Sequence, residues 1–213
     1  MKKITLFIFL LISSTVVNAQ WDISVSMGLD FKYAPSFRDY VNSGFAAGNG
    51  LIPSFKSAIS FSGEGDYKVS NNFAVGLEYD YQLDSYNANY STGGYYEISY
   101  NLHRPSLLAY YVYPGAGYQF KVGGGIGPRF VSLTERINAS ADYTASGYGA
   151  VLKAEGNTML GKNFYALIGV NFRYDHTGDL SGSKYTIVNK ATGENLNLNS
   201  ISFGIYLGLT FNL

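Results

Sequence analysis

Charged side chains of both signs recur at alternate positions along this chain, and they are the residues whose types could do chemistry. The set assigned to one shared interior is Lys56, Glu64, Glu78, Asp80, Glu97, Lys121, Arg129, Lys153, Glu155 and Arg173. Asp22, Asp30, Lys32 and Asp66 fall on the same side of their segments. Buried charges are too costly unless they are paired or hydrogen-bonded. We therefore predict an ion-pair network, in which Lys121, Arg129 and Arg173 contact acidic residues of the first three strands or the sixth.

Such a network is compatible with two functions. If the interior is just wide enough for its own side chains, the ion pairs fill it as a plug. If a path remains between them, the same charges line a narrow, gated ion channel. The pattern favours the plug.

The two histidines, His103 and His176, are the candidates for nucleophilic or general-base catalysis, which needs a serine or an acidic group within hydrogen-bond reach. His103 shares the predicted inner side with Glu97 and Ser99, and His176 follows Asp175, but neither completes such a constellation. No cluster has the spacing of a zinc site, and Asn163 ends segment 156–163 where a phosphate-binding loop needs Ser or Thr. We therefore predict no catalytic residues, no metal and no cofactor.

Strict alternation of apolar and polar residues identifies the elements that would hold these charges. From Ile201 to Leu213 every odd position is large and apolar, while the even positions are small or polar, and the segment from Trp21 to Tyr33 repeats the pattern. A β-strand sends alternate side chains to opposite faces, so each segment has one apolar and one polar face. A strand of a transmembrane barrel typically turns its apolar side chains outward, toward lipid, and its small or polar side chains inward.

The same alternation predicts eight strands, at about 21–33, 55–67, 73–83, 96–112, 118–133, 148–160, 164–174 and 201–213. Their connections alternate between long and short, as in an antiparallel up-and-down barrel with long outer loops and short periplasmic turns. In the fourth strand the even residues, Tyr96 to Val112, are interpreted as the lipid-facing side and the odd residues as the inner side. Pro105 interrupts this strand and predicts a bulge or bend at 104–106.

The first residues indicate export. Lys2 and Lys3 precede a short apolar run, and Val17-Asn18-Ala19 suits a cleavage site, so residues 1–19 are predicted to be a signal peptide and 20–213 the barrel domain. Without residues 1–19, 13 basic residues face 15 acidic ones, which gives no electrostatic case for binding nucleic acid. There is no cysteine, so disulfides are excluded.

On these features, and on the terminal strand ending Thr210-Phe211-Asn212-Leu213, the chain resembles the small eight-stranded outer-membrane β-barrels of the OmpA/OmpX type. The resemblance covers the whole predicted mature chain. It implies an all-β barrel in the bacterial outer membrane, surrounded by outer-membrane lipids, inserted by the barrel-assembly machinery and monomeric, with a structural role or a surface ligand bound by its outer loops. With no residue after Leu213, it implies a bare barrel. Related alternatives are a small porin-like channel and an enzyme that modifies lipid A through a histidine, a serine and an acidic residue.

Overall fold

The structure is a computed structural model that describes residues 21–45, 51–89, 95–137, 139–183, 186–189 and 192–213. The predicted signal peptide, residues 1–19, lies outside these ranges. Among the described residues, no helix is both long and apolar enough to cross a membrane.

Eight antiparallel strands form a closed ring in which each strand pairs with its neighbours in sequence and β1 pairs with β8. The strands are β1 (Trp21–Tyr33), β2 (Lys56–Ser70), β3 (Phe73–Asn89), β4 (Tyr95–Gly115), β5 (Tyr118–Arg136), β6 (Ser140–Met159), β7 (Phe164–Thr177) and β8 (Ser200–Asn212). The prediction of an eight-stranded antiparallel barrel closed by the terminal strand against the first is confirmed. Closure leaves no sheet edge along the ring, because every strand has a partner on both sides.

The strands are strongly tilted. Following paired residues once around the ring from Ile23 leads back to β1 at Tyr33, a stagger of ten residues. In an eight-stranded barrel this stagger corresponds to a tilt of about 40°. The outward face carries a continuous apolar surface bounded by two rings of aromatic side chains. The turn-side ring includes Trp21, Phe73, Tyr111, Tyr113, Tyr118 and Phe164, and the outer aromatic ring includes Phe31, Phe130, Tyr148 and Tyr174. Outer-membrane barrels have such an apolar band, about 25 Å tall, between aromatic girdles.

Strands β3 to β6 extend past the outer aromatic ring, and β3, β5 and β6 do so farther than the sequence pattern indicated. As a result, the connection between β3 and β4 shrinks to residues 90–94 and that between β5 and β6 to 137–139. Beyond the ring their outward side chains become polar, as at Ser85, Asn101, Ser132 and Thr144. Inward and outward side chains still alternate there, but the outward ones are polar. The sequence of these segments therefore resembles that of loops.

A helix that the sequence analysis placed in a loop covers the outer mouth. Helix α1 (Pro35–Gly44) begins with proline in its first turn, where the missing N–H costs no hydrogen bond. Together with the described residues of segment 178–199 it forms what we call the outer cap. The cap, the flanking residues Ala34 and Ile52, and the inner faces of β4 and β5 share one buried apolar core. The remaining members are Phe37, Tyr40, Val41, Tyr96, Ile98, Tyr100, Leu102, Val131, Leu133, Leu180, Ile187, Leu196 and Leu198.

This core overturns the predicted orientation of β4. Its even residues from Tyr96 to Val112 face inward and its odd residues face outward. Toward the outer mouth the inward residues pack against the cap. Toward the turn side, Leu108 and Tyr110 lie over the glycines of β5: a Cβ built on Gly123 would be 2.6 Å from Tyr110 Cδ1, and one on Gly125 would be 2.5 Å from Leu108 Cδ2. The missing side chains of β5 thus leave the volume that the large residues of β4 fill.

Candidate functional site

The candidate site is the interior of the barrel between the cap and Asp22 at the turn-side end, where six basic and seven acidic side chains are buried. They are Lys32, Arg104, Lys121, Arg129, Lys153 and Arg173, with Asp30, Glu64, Asp66, Glu78, Asp80, Glu155 and Asp175. Alternation along the seven strands β1 to β7 delivers these groups to the inner face, because each strand turns every second side chain inward. We call this set the lumen network.

The half of the lumen network nearer the cap is organised around Arg104. Its guanidinium contacts Asp30 at 2.7 Å, Asp80 at 2.5 Å and Asp175 at 3.5 Å. Gln82 extends the cluster, since its amide donates to Asp30 at 2.7 Å and its carbonyl accepts from Lys32 at 3.1 Å. One guanidinium thus joins carboxylates of β1, β3 and β7 across the interior.

The half nearer the turn side is organised around two lysines. Lys153 contacts Glu64, Glu78 at 2.9 Å and Glu155 at 3.0 Å, while Lys121 contacts Asp66 and Glu155 at 3.2 Å. Two phenols bind the same carboxylates as neutral donors. Tyr110 donates to Glu64 at 3.0 Å, and Tyr206 donates to Glu155 at 2.9 Å.

Glu78 joins the two halves. Its carboxylate accepts from Lys153 on one side and from Arg173 Nη2 on the other, with Arg173 distances of 2.9 and 3.0 Å to the two oxygens. Arg173 also approaches Asp80 at 3.5 Å, and Asp80 contacts Arg104. The ion pairs are therefore continuous along the barrel axis.

Two residues that the sequence analysis assigned to the interior lie elsewhere. Glu97 is on the outward face of β4, 37% exposed, and pairs with Arg136 at 3.5 Å; the reversed orientation of β4 places it there. Lys56 lies at the outer rim, partly exposed, and contacts Asp84 at 2.6 Å. Neither contacts a member of the lumen network in these pairs.

Arg129 is inside, but its carboxylate partner is Asp175 of β7, at 2.5 Å, and not a residue of strands one to three or six.

The Arg129 guanidinium also supplies hydrogen bonds at a gap in the pairing of β4 with β5. No pairing joins residues 104–106 of β4 to 127–129 of β5, although the register is the same on either side. Pro105 and Pro128 lie in this gap, and proline has no N–H to donate. Arg129 Nη1 donates instead to the carbonyls of Pro105, Gly127 and Pro128 at 3.0–3.3 Å. Of the predicted bulge or bend at 104–106, the bulge is wrong, since no residue is inserted.

The histidines face away from the lumen. Tyr79 Oη and His103 Nδ1 are 2.5 Å apart on the outward surface, and the ring of His176 lies 5.0 Å from that of Tyr148 at the outer aromatic ring. The prediction that His103 lies inside the barrel with Glu97 and Ser99 is therefore wrong, because all three lie on the outward face of β4. Within the described ranges, no three His, Asp or Glu side chains are placed to hold a metal ion.

Little space remains inside. A cavity of about 10 Å³ lies beside Glu78, Lys153, Asn171 and Arg173, which is room for about one water molecule. Below it, Asp22 accepts from Lys68 at 3.0 Å, Gln119 at 3.1 Å and Asn212 at 2.9 Å. These contacts close the turn-side end of the interior.

Sequence reasoning missed Arg104 and left Asp175 out of the network. The signal for Asp175 was present, because it shares the inner side of β7 with Arg173. Arg104 had no such signal, since most residues on the same face, such as Leu102 and Leu108, are apolar. Only the glycines at positions 123 and 125, opposite β4, hinted that its large residues turn inward.

No family model matches the chain, and no curated protein sequence is detectably similar. Solved structures do share its fold. Neisserial surface protein A superposes with a TM-score of 0.54 at 9% identity, covering 92% of this chain and 98% of that one. Ail of Yersinia pestis, in complex with the heparin analogue sucrose octasulfate, gives 0.52 at 12% identity, covering 92% and 100%. OprG of Pseudomonas aeruginosa gives 0.51 at 14%, covering 92% and 98%. The chain therefore has the fold of the small bacterial outer-membrane β-barrels.

Proposed function

We propose that the protein is a sealed outer-membrane barrel with a structural or surface-interaction role, which presents its cap and the outer parts of β3 to β6 to the exterior. The observation that carries this proposal is the continuous lumen network around Glu78. A conducting path would need water between these groups, and the cavity beside them has only about 10 Å³.

The outer cap supports the same function in a second way. Phe37 and Val41 of α1 are buried against the inward residues of β4, so an apolar layer lies above the charged layer. Ions avoid apolar constrictions because they lose hydration there. Two layers of opposite chemistry therefore block the interior.

The exposed surface beyond the outer aromatic ring supports the interaction role. Its outward residues on β3 to β6 are mainly Ser, Thr, Asn and Asp on rigid strands, and polar groups held by a scaffold suit recognition of a polar ligand. The proposal includes a monomer surrounded by outer-membrane lipids, insertion by the assembly machinery after export, and no catalytic role. Histidines that point outward support the absence of catalysis.

Single-channel recording in planar bilayers tests the seal. We expect protein purified from outer membranes to produce no conductance steps, and a variant combining Glu78→Ser, Lys153→Ser and Arg173→Ser to produce them, since it removes the junction of the network. Reproducible steps from the wild-type protein would identify it as a small channel and contradict the proposal.

A further inference from the structure

A furrow on the outward wall of the barrel ends at a polar pair, and neither feature belongs to the lumen or the cap. Its floor is formed by Gly63 and Gly65 of β2, which project no side chain outward, and no atom lies within 4 Å of a Cβ built on either. We call this feature the Gly63 furrow. The flanking outward residues of β2, Phe61 and Tyr67, are large, so two consecutive outward glycines between them leave a gap the width of one strand.

The walls of the furrow are apolar. Gly63 is paired with Val25 of β1 and Tyr79 of β3, while Gly65 is paired with Ile23 and Leu77. Leu77 is 68% exposed and Val25 is 60% exposed, so both stand above the floor. The floor between these walls follows β2 for the two outward positions Gly65 and Gly63.

The outer end of the furrow carries the polar groups of Tyr79 and His103 and lies at the level of the outer aromatic ring. Tyr81, His103 and Phe130 are successive partners across β3, β4 and β5, and Phe130 belongs to that ring. A concavity of about 430 Å³ is lined there by Phe61, Ser62, Gly63, Tyr79, Tyr81 and His103. Aromatic girdles mark the boundary between hydrocarbon and headgroups. The furrow thus starts within the apolar band and ends at headgroup depth.

The His103 imidazole is held in a fixed position at this end. Its Nδ1 is 2.5 Å from the Tyr79 hydroxyl, and its ring lies 4.9 Å from that of Tyr81. When the Tyr79 phenol donates to Nδ1, the ring N–H lies on Nε2. Among the described residues, no side chain accepts a hydrogen bond from Nε2. An N–H at headgroup depth beside an apolar furrow matches a phosphate attached to an acyl chain.

We propose that the Gly63 furrow is a specific binding site for an outer-leaflet lipid that carries a phosphate, with an acyl chain between Leu77 and Val25 and the phosphate at His103 and Tyr81. The orientation toward the outer leaflet rests on the proposed outer-membrane location. The site itself does not require a sealed lumen, so a conducting barrel would leave it intact.

Lipid binding to the purified protein in neutral detergent micelles tests this site. The probes are phosphatidic acid, diacylglycerol with the same chains, and inorganic phosphate, each followed by native mass spectrometry. We expect one phosphatidic acid per barrel, bound about tenfold more tightly than diacylglycerol, because only the phosphate can accept a charge-assisted hydrogen bond from His103. Inorganic phosphate alone should not bind.

Two variants and two matched controls locate the site. Gly63→Leu fills open space and should abolish retention of the lipid while leaving the barrel folded. His103→Phe keeps the ring and should remove the preference for phosphatidic acid over diacylglycerol. The first control, Ala150→Leu, projects into a second outward groove of about 710 Å³, whose lining is apolar apart from the hydroxyl of Tyr174. The second control, His176→Phe, removes the other outward histidine. Both controls should bind as the wild type does.

Three results would overturn the proposal. Phosphatidic acid could bind no better than diacylglycerol to the wild-type protein. Gly63→Leu could bind the lipid as well as Ala150→Leu does. The furrow could also be filled by a second copy of the chain, in which case sedimentation would show a dimer that Gly63→Leu dissociates.

Discussion

The hydroxyl of Tyr40 in α1 donates a 2.6 Å hydrogen bond to the Glu135 carboxylate at the outer end of β5. Glu135 is buried, and Tyr96 of β4 donates to the same oxygen at 3.0 Å. A carboxylate out of water needs such donors. This contact therefore fastens the cap to the wall of the barrel at a point far from the membrane.

Replacing Tyr40 with Phe should loosen the cap without unfolding the barrel. Glu135 then keeps Tyr96 but loses one donor, which costs about 1–2 kcal/mol of local stability. Hydrogen exchange of the α1 amides should accelerate roughly tenfold, while exchange in β1 and β8 stays unchanged. Tyr95→Phe, at an exposed position, is the control and should have no effect. Unchanged exchange in α1 of the Tyr40 variant would show that this bond does not hold the cap.

The packing of Phe37 should matter more than this hydrogen bond. Phe37 is buried, with its ring centroid 5.4 Å from that of Tyr100 in an edge-on arrangement. Phe37→Ala should cost about 3–5 kcal/mol of cap stability, since a large core side chain is lost. Limited proteolysis should then cleave within 34–55. Phe55→Ala, at an exposed position, should leave this segment resistant.

The same Phe37 variant separates the two layers that fill the interior. Because the lumen network lies below the cap, we expect no conductance steps from Phe37→Ala in planar bilayers. Steps from this variant would mean that the apolar cap, and not the ion pairs, provides the seal.

Glu78→Gln should be among the most damaging single changes in the lumen. It leaves Lys153 and Arg173 without the carboxylate that they share, and removing one partner of a buried pair costs about 3–5 kcal/mol. Urea unfolding of the protein in lipid vesicles, followed by gel mobility, measures the loss. Glu97→Gln removes the same charge from an exposed pair and should change stability by less than about 0.5 kcal/mol. Equal losses for the two variants would contradict the structure of β4.

Arg129→Lys tests whether the hydrogen bonds from the Arg129 guanidinium stabilise the gap between β4 and β5. Lysine keeps a positive charge for Asp175, but it lacks the planar fork that reaches the carbonyls of Pro105 and Pro128. We expect exchange of the amides beside the gap, at Leu107 and Phe130, to accelerate about tenfold in the variant. Arg136→Lys, on the exposed surface, serves as the control. Equal protection in Arg129→Lys and the wild type would show that the gap needs no guanidinium.

Most of the strands of the barrel were predictable from the sequence. Alternation from Trp21 to Tyr33 and from Ile201 to Leu213 predicted two strands, and their mutual pairing followed from the closed ring. Strand number and order were predictable because the alternation of apolar and polar residues is visible within each strand's own sequence. The full lengths of β3, β5 and β6 were not, because the outward residues become polar where lipid ends.

The helix α1 also escaped prediction. Its ten residues contain Pro, Ser, Asn and Gly, which are typical of loops, and its apolar residues Phe37, Tyr40 and Val41 form only a short stripe. Such a helix depends on tertiary packing for its stability. The apolar surface that stabilises it is supplied by β4, about sixty residues later in the chain.

Alternation by itself determined that β4 has an apolar face from Tyr96 to Val112 and a polar face containing Glu97 and His103. It did not determine which face turns inward, because lipid outside and an apolar cap inside accept the same side chains. Tertiary structure decided this: α1 lies over the outer half of the inner face, and the glycines of β5 leave room beneath Leu108 and Tyr110. That choice brought Arg104 into the lumen network and placed His103 at the head of the Gly63 furrow.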